Sequence, residues 1–289
     1  MSFKIITDSC ANLTEELYDR YDISVLPLTF IIDGQPYASY VKEKKTELEA
    51  FYKMMRDEKL ITTSQPSLDT SQETIEAVLK DGYDVLYLGF SSGLSTTYQS
   101  VDFICQELGK QYPERKIITV DTLAAALGQG LLVWMAAEMR EEGKTMEEIA
   151  EWVEDHKLNL AHWFTVDDLH YLERGGRVSK TAAFAATMLN IKPVLHVDDE
   201  GHLIPMEKVR GRKKSFDAIV KHMNDTMLQP YNYKVIVSHG DCEDEAQTMA
   251  KKIKEETGVD VSLINCLDPV IGAHSGPGTM AVFFLADHR

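Results

Sequence analysis

Residues 84–100, DVLYLGFSSGLSTTYQS, decide the fold of this chain. Val85, Leu86, Tyr87 and Leu88 form the short apolar run of a strand covered on both faces, which predicts a parallel sheet. The run stops at Gly89, and hydroxyls around the turn at Gly93 lead into a helix that begins near Ser95. In open α/β sheets ligands gather beyond the carboxyl ends of the strands, where a helix N-terminus offers unpaired N–H groups to an anion. The hydroxyls of Ser91, Ser92, Ser95, Thr96 and Thr97 can donate to the same anion. The plainer reading is that Ser95 or Thr96 only caps the helix.

The neighbouring segments repeat this grammar. Residues 3–7 read as a strand, Asp8, Ser9 and Asn12 as the polar turn at its end, and LTEELYDRY as a helix. Residues 23–32 read as a strand pair or extended segment broken by Pro27, and Asp33-Gly34 as a turn. Residues 46–59 have helical spacing, and TTSQPS at 62–67 is a polar loop that displays its side chains. A helix at 71–80 then leads back to the opening strand. Residues 116–120 give another strand with Asp121-Thr122 at its end. The helix at 123–142 begins with small residues that allow close packing on the sheet or leave room for a ligand. Alternating strands and helices predict a right-handed, mostly parallel α/β domain over 1–158. Strands at 162–166, 191–197, 201–212, 233–239, 259–263 and 280–285, with helices at 215–227 and 243–257, predict an α+β domain over 159–289 with adjoining strands antiparallel.

Composition narrows the function. The 289 residues are 44% hydrophobic and 26% charged, as in soluble globular proteins. Their formal charge of −16 repels nucleic acid and anionic membrane, and favours a small ligand or a protein partner. A strand-like segment starts at once, leaving no room for a signal-peptide core, and no apolar run reaches the roughly 18 residues of a membrane span. A cytoplasmic protein without stable membrane insertion is expected. Cys10, Cys105, Cys242 and Cys266 form no C-x-x-C pair, and the histidines show no i,i+4 pairing, so neither a disulfide framework nor a metal site is expected.

Three constellations can carry chemistry. Gly89, Ser91 and Gly93 spell G-x-S-x-G between a strand and a helix, and Asp268 and His274 supply the chain order of an α/β-hydrolase, so a serine lipid hydrolase using Ser91 is one reading. Against it, only about three strands are expected before Ser91 and no HGGG-type oxyanion loop is present. In DPVIGAHSGPGT, residues 268–279, glycines fix a tight loop around His274 that lets a ligand approach. LERGGRVS places Arg174 and Arg177 around a glycine turn, and KVRGRKK at 208–214 adds Arg210. Such clusters in an acidic chain suit a phosphate-bearing partner or an acidic protein surface, while Lys213 and Lys214 read as solvated charge. No aromatic residues interleave with them as nucleic-acid binding would ask.

TDSCAN at 7–12, TTSQPS, SSGLSTTYQS at 91–100, YLERGGRVSK at 171–180, IKPVL at 191–195, KVRGRKK and GAHSGPGT at 272–279 together resemble the DegV family, in that family's order and over nearly the whole length. The resemblance implies an α/β domain and an α+β domain, with one acyl chain in a deep apolar tunnel between or beneath them. It implies a non-catalytic fatty-acid-binding subunit that presents its ligand to an ATP-dependent fatty acid kinase, which makes an acyl phosphate for phospholipid synthesis. No cofactor is implied beyond the bound fatty acid. On the matching motifs, Thr63 and Ser92 become the carboxylate donors, Ser91 the near alternative, and His274 a third contact, direct or through water. Arg174, Arg177 and Arg210 fall to the carboxylate's surroundings and the kinase-facing surface. Thr96 stands where the family commonly has glycine, Cys10 and Asn12 depart from TDSTAD, and alanines after Thr122-Leu123 replace a serine-rich pattern. These departures bear on tunnel shape and chain preference, for which residues 182–189 are candidate lining.

Overall fold

A computed structural model describes residues 2–44, 46–179, 190–231 and 233–289. Lys180 and the candidate lining at 182–189 lie outside the described residues. In chain order the first half runs β1 (Phe3–Asp8), α1 (Glu15–Arg20), β2 (Ile23–Leu26), β3 (Thr29–Ile32), β4 (Gln35–Ala38), α2 (Leu48–Arg56), β5 (Ile61–Ser64), α3 (Leu68–Lys80), β6 (Asp84–Gly89), α4 (Thr97–Gln111), β7 (Ile117–Asp121), α5 (Leu127–Glu141) and α6 (Met146–His156). The second half runs β8 (Leu160–Thr165), α7 (His170–Arg174), β9 (Ile191–Val197), β10 (Leu203–Arg210), α8 (Arg212–Thr226), β11 (Val235–His239), α9 (Glu243–Thr257), β12 (Val261–Cys266), α10 (Pro269–Ser275) and β13 (Met280–Leu285). The chain divides into two compact units, one of residues 1–46 with 63–157 and one of 47–62 with 158–289.

The first unit is built on a sheet of order β2-β1-β6-β7 in which every pairing is parallel. All of β6 is buried, which is why its sequence is a continuous apolar run rather than an alternation. α3 and α4 press Ile75, Leu79, Val101 and Leu108 onto Ile6, Val85 and Tyr87 in one apolar cluster. The chain leaves β1 for β2 on one side and leaves β6 for β7 on the other. The carboxyl ends of β1 and β6 therefore form a topological switch point, the place where open α/β sheets open a crevice. A further sheet has the order β4-β3-β5.

The second unit carries a mixed sheet of order β10-β9-β8-β13-β11-β12. Its pairings are antiparallel except β11 with β12, where α9 makes the crossover that a parallel pair needs. α8 and α9 cover one face, burying Phe216, Ile219, Met223, Met249 and Ile253 against Trp163, Val237 and Val282.

Four elements differ from the sequence reading. β4 is exposed along its whole length and has no apolar alternation to reveal it. The first residues of TTSQPS extend β5 rather than forming a loop. α7 and α10 are short helices in segments read as turns. α10 forms because Asp268 Oδ1 accepts the Ile271 N–H at 2.8 Å and Pro269 occupies the first helical turn. Among the described residues no helix is long and apolar enough to cross a membrane.

Candidate functional site

Asp8, Gly89 and Asp121 end the three adjacent strands β1, β6 and β7, and the turn after β6 lies among them. Its backbone donors are consumed in succession. The Phe90 N–H donates to Asp8 Oδ2 at 2.9 Å, the Ser91 N–H to the Ala124 carbonyl at 3.0 Å, and the Ser92 N–H to Asp121 Oδ1 at 3.2 Å. Gly93 N–H donates to Ser91 Oγ at 3.2 Å, and Leu94 and Ser95 donate to the Ser91 carbonyl at 3.1 and 3.2 Å. The backbone N–H groups from Phe90 to Ser95 are thus all committed within the protein. A nucleophile elbow needs the N–H of the residue after the serine for its oxyanion, and here that N–H faces a carboxylate. Ser91 is wholly buried, and Asp268 caps α10. This geometry supports a turn rather than a nucleophile.

Asp8 is wholly buried. Its Oδ2 accepts from Tyr87 Oη at 3.1 Å and Gln129 Nε2 at 3.2 Å as well as from Phe90, and Oδ1 accepts the Cys10 N–H at 3.1 Å. Burial pushes its pKa up to about 6, while these hydrogen bonds pull the other way. Gln129 was not singled out from the sequence. Its one signal was a polar residue inside the apolar run ALGQGLLVW, and it proves fully buried.

Thr63 and Ser92 are half-buried in the first unit. Gln65 ties their two segments together, its Oε1 accepting from Thr96 Oγ1 at 3.1 Å and Ser100 Oγ at 2.8 Å. Thr96 thus spends its hydroxyl on the TTSQPS segment rather than on capping α4, while Ser95 Oγ takes the Thr97 N–H at 3.2 Å. A glycine at position 96 would lack that bond.

His274 and the three arginines lie in the second unit. His274 occupies the last turn of α10, where burial, aided by the Arg177 and Arg174 guanidinia, pushes its pKa down to about 4. It is a neutral imidazole at physiological pH. Gly175, at the end of α7, lets the backbone come against the ring: a Cβ there would sit 2.2 Å from His274 Nδ1. Gly278 holds a φ of +75° with Asp167 packed where its Cβ would be. Arg174 is exposed with its guanidinium over the Tyr171 ring at 5.0 Å, and Arg177 donates to the Gly175 carbonyl. Arg210 is exposed at the end of β10. In the same motif Arg212, not singled out from the sequence, is anchored by Glu245 Oε2 at 2.9 Å and lies over Phe216 at 4.9 Å. Among the described residues no group of three or more His, Cys, Asp or Glu is placed to hold a metal ion.

Gly175→Ala should push the imidazole out of its place and toward water. The expected result is a His274 titration that moves up from about 4 toward 6.5, followed by NMR, with a stability loss of about 1 kcal/mol. An unmoved titration would refute the contact's role.

Residues 2–287 match the family described as "Uncharacterised protein, DegV family". A DegV domain-containing protein of Clostridium perfringens is 42% identical over 287 residues, covering 99% of this chain and 98% of that one. Among solved structures, a DegV lipid binding protein from Thermotoga maritima is 31% identical with a TM-score of 0.85, covering 100% of both chains. A DegV family protein from Thermus thermophilus, described by its fatty acid binding, is 30% identical with a TM-score of 0.88, covering 99% of this chain and 100% of that one. With the family matched over residues 2–287 and a relative 42% identical over 99% of the chain, the chain belongs to the DegV family.

Proposed function

We propose that the chain binds a single long-chain fatty acid in an apolar tunnel and presents the carboxylate to an ATP-dependent fatty acid kinase, leaving the phosphoryl transfer to that partner. The acyl phosphate then enters phospholipid synthesis. The observation that carries this reading is the end-to-end match to a family whose Thermus thermophilus member is described as binding fatty acid. In this reading the α/β domain of 1–158 supplies hydroxyls from Thr63 and Ser92, with Ser91 behind them, and the α+β domain of 159–289 supplies the neutral His274. Such donors meet the needs of a monoanion without burying a cation beside it. Arg174, Arg177 and Arg210 belong to the carboxylate's surroundings and the face offered to the kinase. The protein works in the cytoplasm and carries the fatty acid as its ligand, with no cofactor of its own. Each buried CH₂ of the tail contributes ~0.8 kcal/mol, so the tail dominates affinity and the head-group contacts set orientation.

Denaturing extraction of the purified protein, followed by mass spectrometry, should release a fatty acid. Finding none, together with no uptake of offered stearic acid, would overturn the reading. With the partner kinase and ATP, Thr63→Ala or Ser92→Ala should slow acyl-phosphate formation about tenfold while leaving acid uptake within about twofold. Wild-type turnover in both variants would refute the head-group assignment.

A further inference from the structure

The residues that build the turn after β6 carry features that folding alone disfavours. Asp8 is a carboxylate buried without exposure, and the groups that donate to it, Tyr87 Oη, the Phe90 and Cys10 N–H groups and Gln129 Nε2, are all neutral. Gln129 turns its amide nitrogen toward three acceptors, Thr7 Oγ1 at 3.1 Å, Asp8 Oδ2 at 3.2 Å and the Leu88 carbonyl at 3.4 Å. Its Oε1 is left buried with no hydrogen-bond partner among the described residues. Flipping the amide would set that oxygen against the same three acceptors, so the orphan is fixed by the network. On the other side of the turn, Leu123 and Ala126 hold φ of 49° and 53° without being glycine, and Ala126 pairs its φ with a ψ of −147°, a region other residues rarely enter.

These features converge on one short stretch of backbone. Thr122 gives both its N–H, at 3.2 Å, and its Oγ1, at 2.7 Å, to the Gly89 carbonyl. Asp8 takes the N–H of Phe90, Ala124 that of Ser91 and Asp121 that of Ser92. Asp121 Oδ1 also takes the Leu123 N–H at 3.1 Å, locking the strained turn to the one that carries the serines. Disfavoured conformations persist where the surroundings over-determine them, and their gathering at a switch point between strands marks a positioning device.

We propose that Asp8 and Asp121 are positioning residues that clamp the backbone on either side of Ser91 and so aim the Ser92 hydroxyl at the ligand's carboxylate. The inference rests on the fatty-acid reading of this site and adds to it the groups that set the head group's orientation. Neither carboxylate touches the ligand. By holding the Ser92 N–H, Asp121 also withholds that donor from the ligand, so that the head group is met by the side chain and not by the backbone.

The test uses full-length protein loaded with stearic acid isotopically labelled at its carboxyl carbon, with the bound carboxyl resonance read by NMR. Asp121→Ala should shift that resonance from its wild-type position while stearic acid uptake is retained. Asp121→Asn keeps an acceptor for the Ser92 N–H and should leave the resonance at the wild-type position. Because Asp121 acts through Ser92, the Asp121→Ala/Ser92→Ala double variant should give the same resonance as Ser92→Ala alone. Should Asp121→Ala fail to fold, Asp8→Asn, which leaves one acceptor facing the same donors, should produce a shift of the same kind. A wild-type resonance in Asp121→Ala, an additive shift in the double variant, or an Asp121→Asn resonance as displaced as that of Asp121→Ala would overturn the proposal. Failure of the wild-type protein to take up stearic acid would instead overturn the fatty-acid reading itself.

Discussion

Gly130→Ala should lower stability by about 3 kcal/mol, although helix propensity alone favours alanine over glycine by about 1 kcal/mol. Gly130 lies in the first turns of α5, where a Cβ would fall 2.3 Å from the Ala11 carbonyl oxygen and 3.0 Å from Leu13 Cδ2. The oxygen is backbone and has no rotamer into which to retreat. It belongs to the last residue of a one-turn 3₁₀ helix, Ser9–Ala11, whose ends are held by the Asp8 side chain on the Cys10 N–H and by the Asn12 N–H on the Ser9 carbonyl at 3.1 Å. An added methyl group must therefore displace α5 or the strand-end turn that follows β1, and either movement strains the Asp8 network. A thermal melt should record a fall of roughly 10 °C. An unchanged or raised midpoint would mean that propensity prevails and the contact yields.

The second large effect is a loss of stability on mild acidification. His162 and His196 lie in the strands β8 and β9, and burial holds both below their ordinary value, His162 far below and His196 at about 4. His196 is sandwiched against Trp163 at 4.3 Å, Trp163 stacks in turn on His222 at 3.6 Å, and the Arg289 guanidinium adds repulsion toward both buried rings. His274 lies at about 4 as well. A histidine whose folded pKa is depressed stabilises the fold above its unfolded value near 6.5, and that contribution is lost as pH falls through the window down to about 4. At pH 5 the loss is about 2 kcal/mol for each such histidine. Asp8 runs the other way. Its folded pKa of about 6 lies above the ordinary 3.8, so its burial penalty is relieved as pH falls from about 6, and at pH 5 this offsets roughly two thirds of one histidine's loss. The net expectation is a thermal midpoint that drops between pH 7 and pH 5, and drops less in His196→Gln. A midpoint constant across that interval would contradict the neutral, buried state of these rings.

Much of the architecture was legible because burial writes itself into composition. β6 is buried at every position and read as an apolar run, and α2 followed from the helical spacing of the apolar residues it buries. What escaped were features fixed by distant partners. Segment 47–62 groups with 158–289 although the chain places it between strands of the first unit. Gln65 acquires its role only through Thr96 and Ser100, 31 and 35 residues away, and the polar pattern of TTSQPS gives no hint of that pairing. α10 was hidden because its glycines suggested a loop, while Asp268 and Pro269 supply a helix start strong enough to override them. Of the site, the strand-end hydroxyls were visible as polar groups following apolar runs. Choosing Thr63, Ser92 and His274 among them came from family resemblance, because hydroxyl and imidazole groups carry no mark of their ligand. The commitment of the turn's own N–H groups to Asp8, Asp121, Ser91 Oγ and backbone carbonyls could not be read either, because their partners lie on other strands or depend on the turn's own conformation.

That expenditure bears on binding kinetics. A loop that organises itself around its ligand loses conformational entropy at the moment of binding, and slows capture by the time it takes to close. The turn after β6 has already lost that freedom on folding, with Phe90 through Ser95 bonded to the protein before any head group arrives. If the proposed fatty acid sits at this turn, its entry and exit should therefore be governed by passage of its tail, with the backbone of the turn taking no part in the barrier.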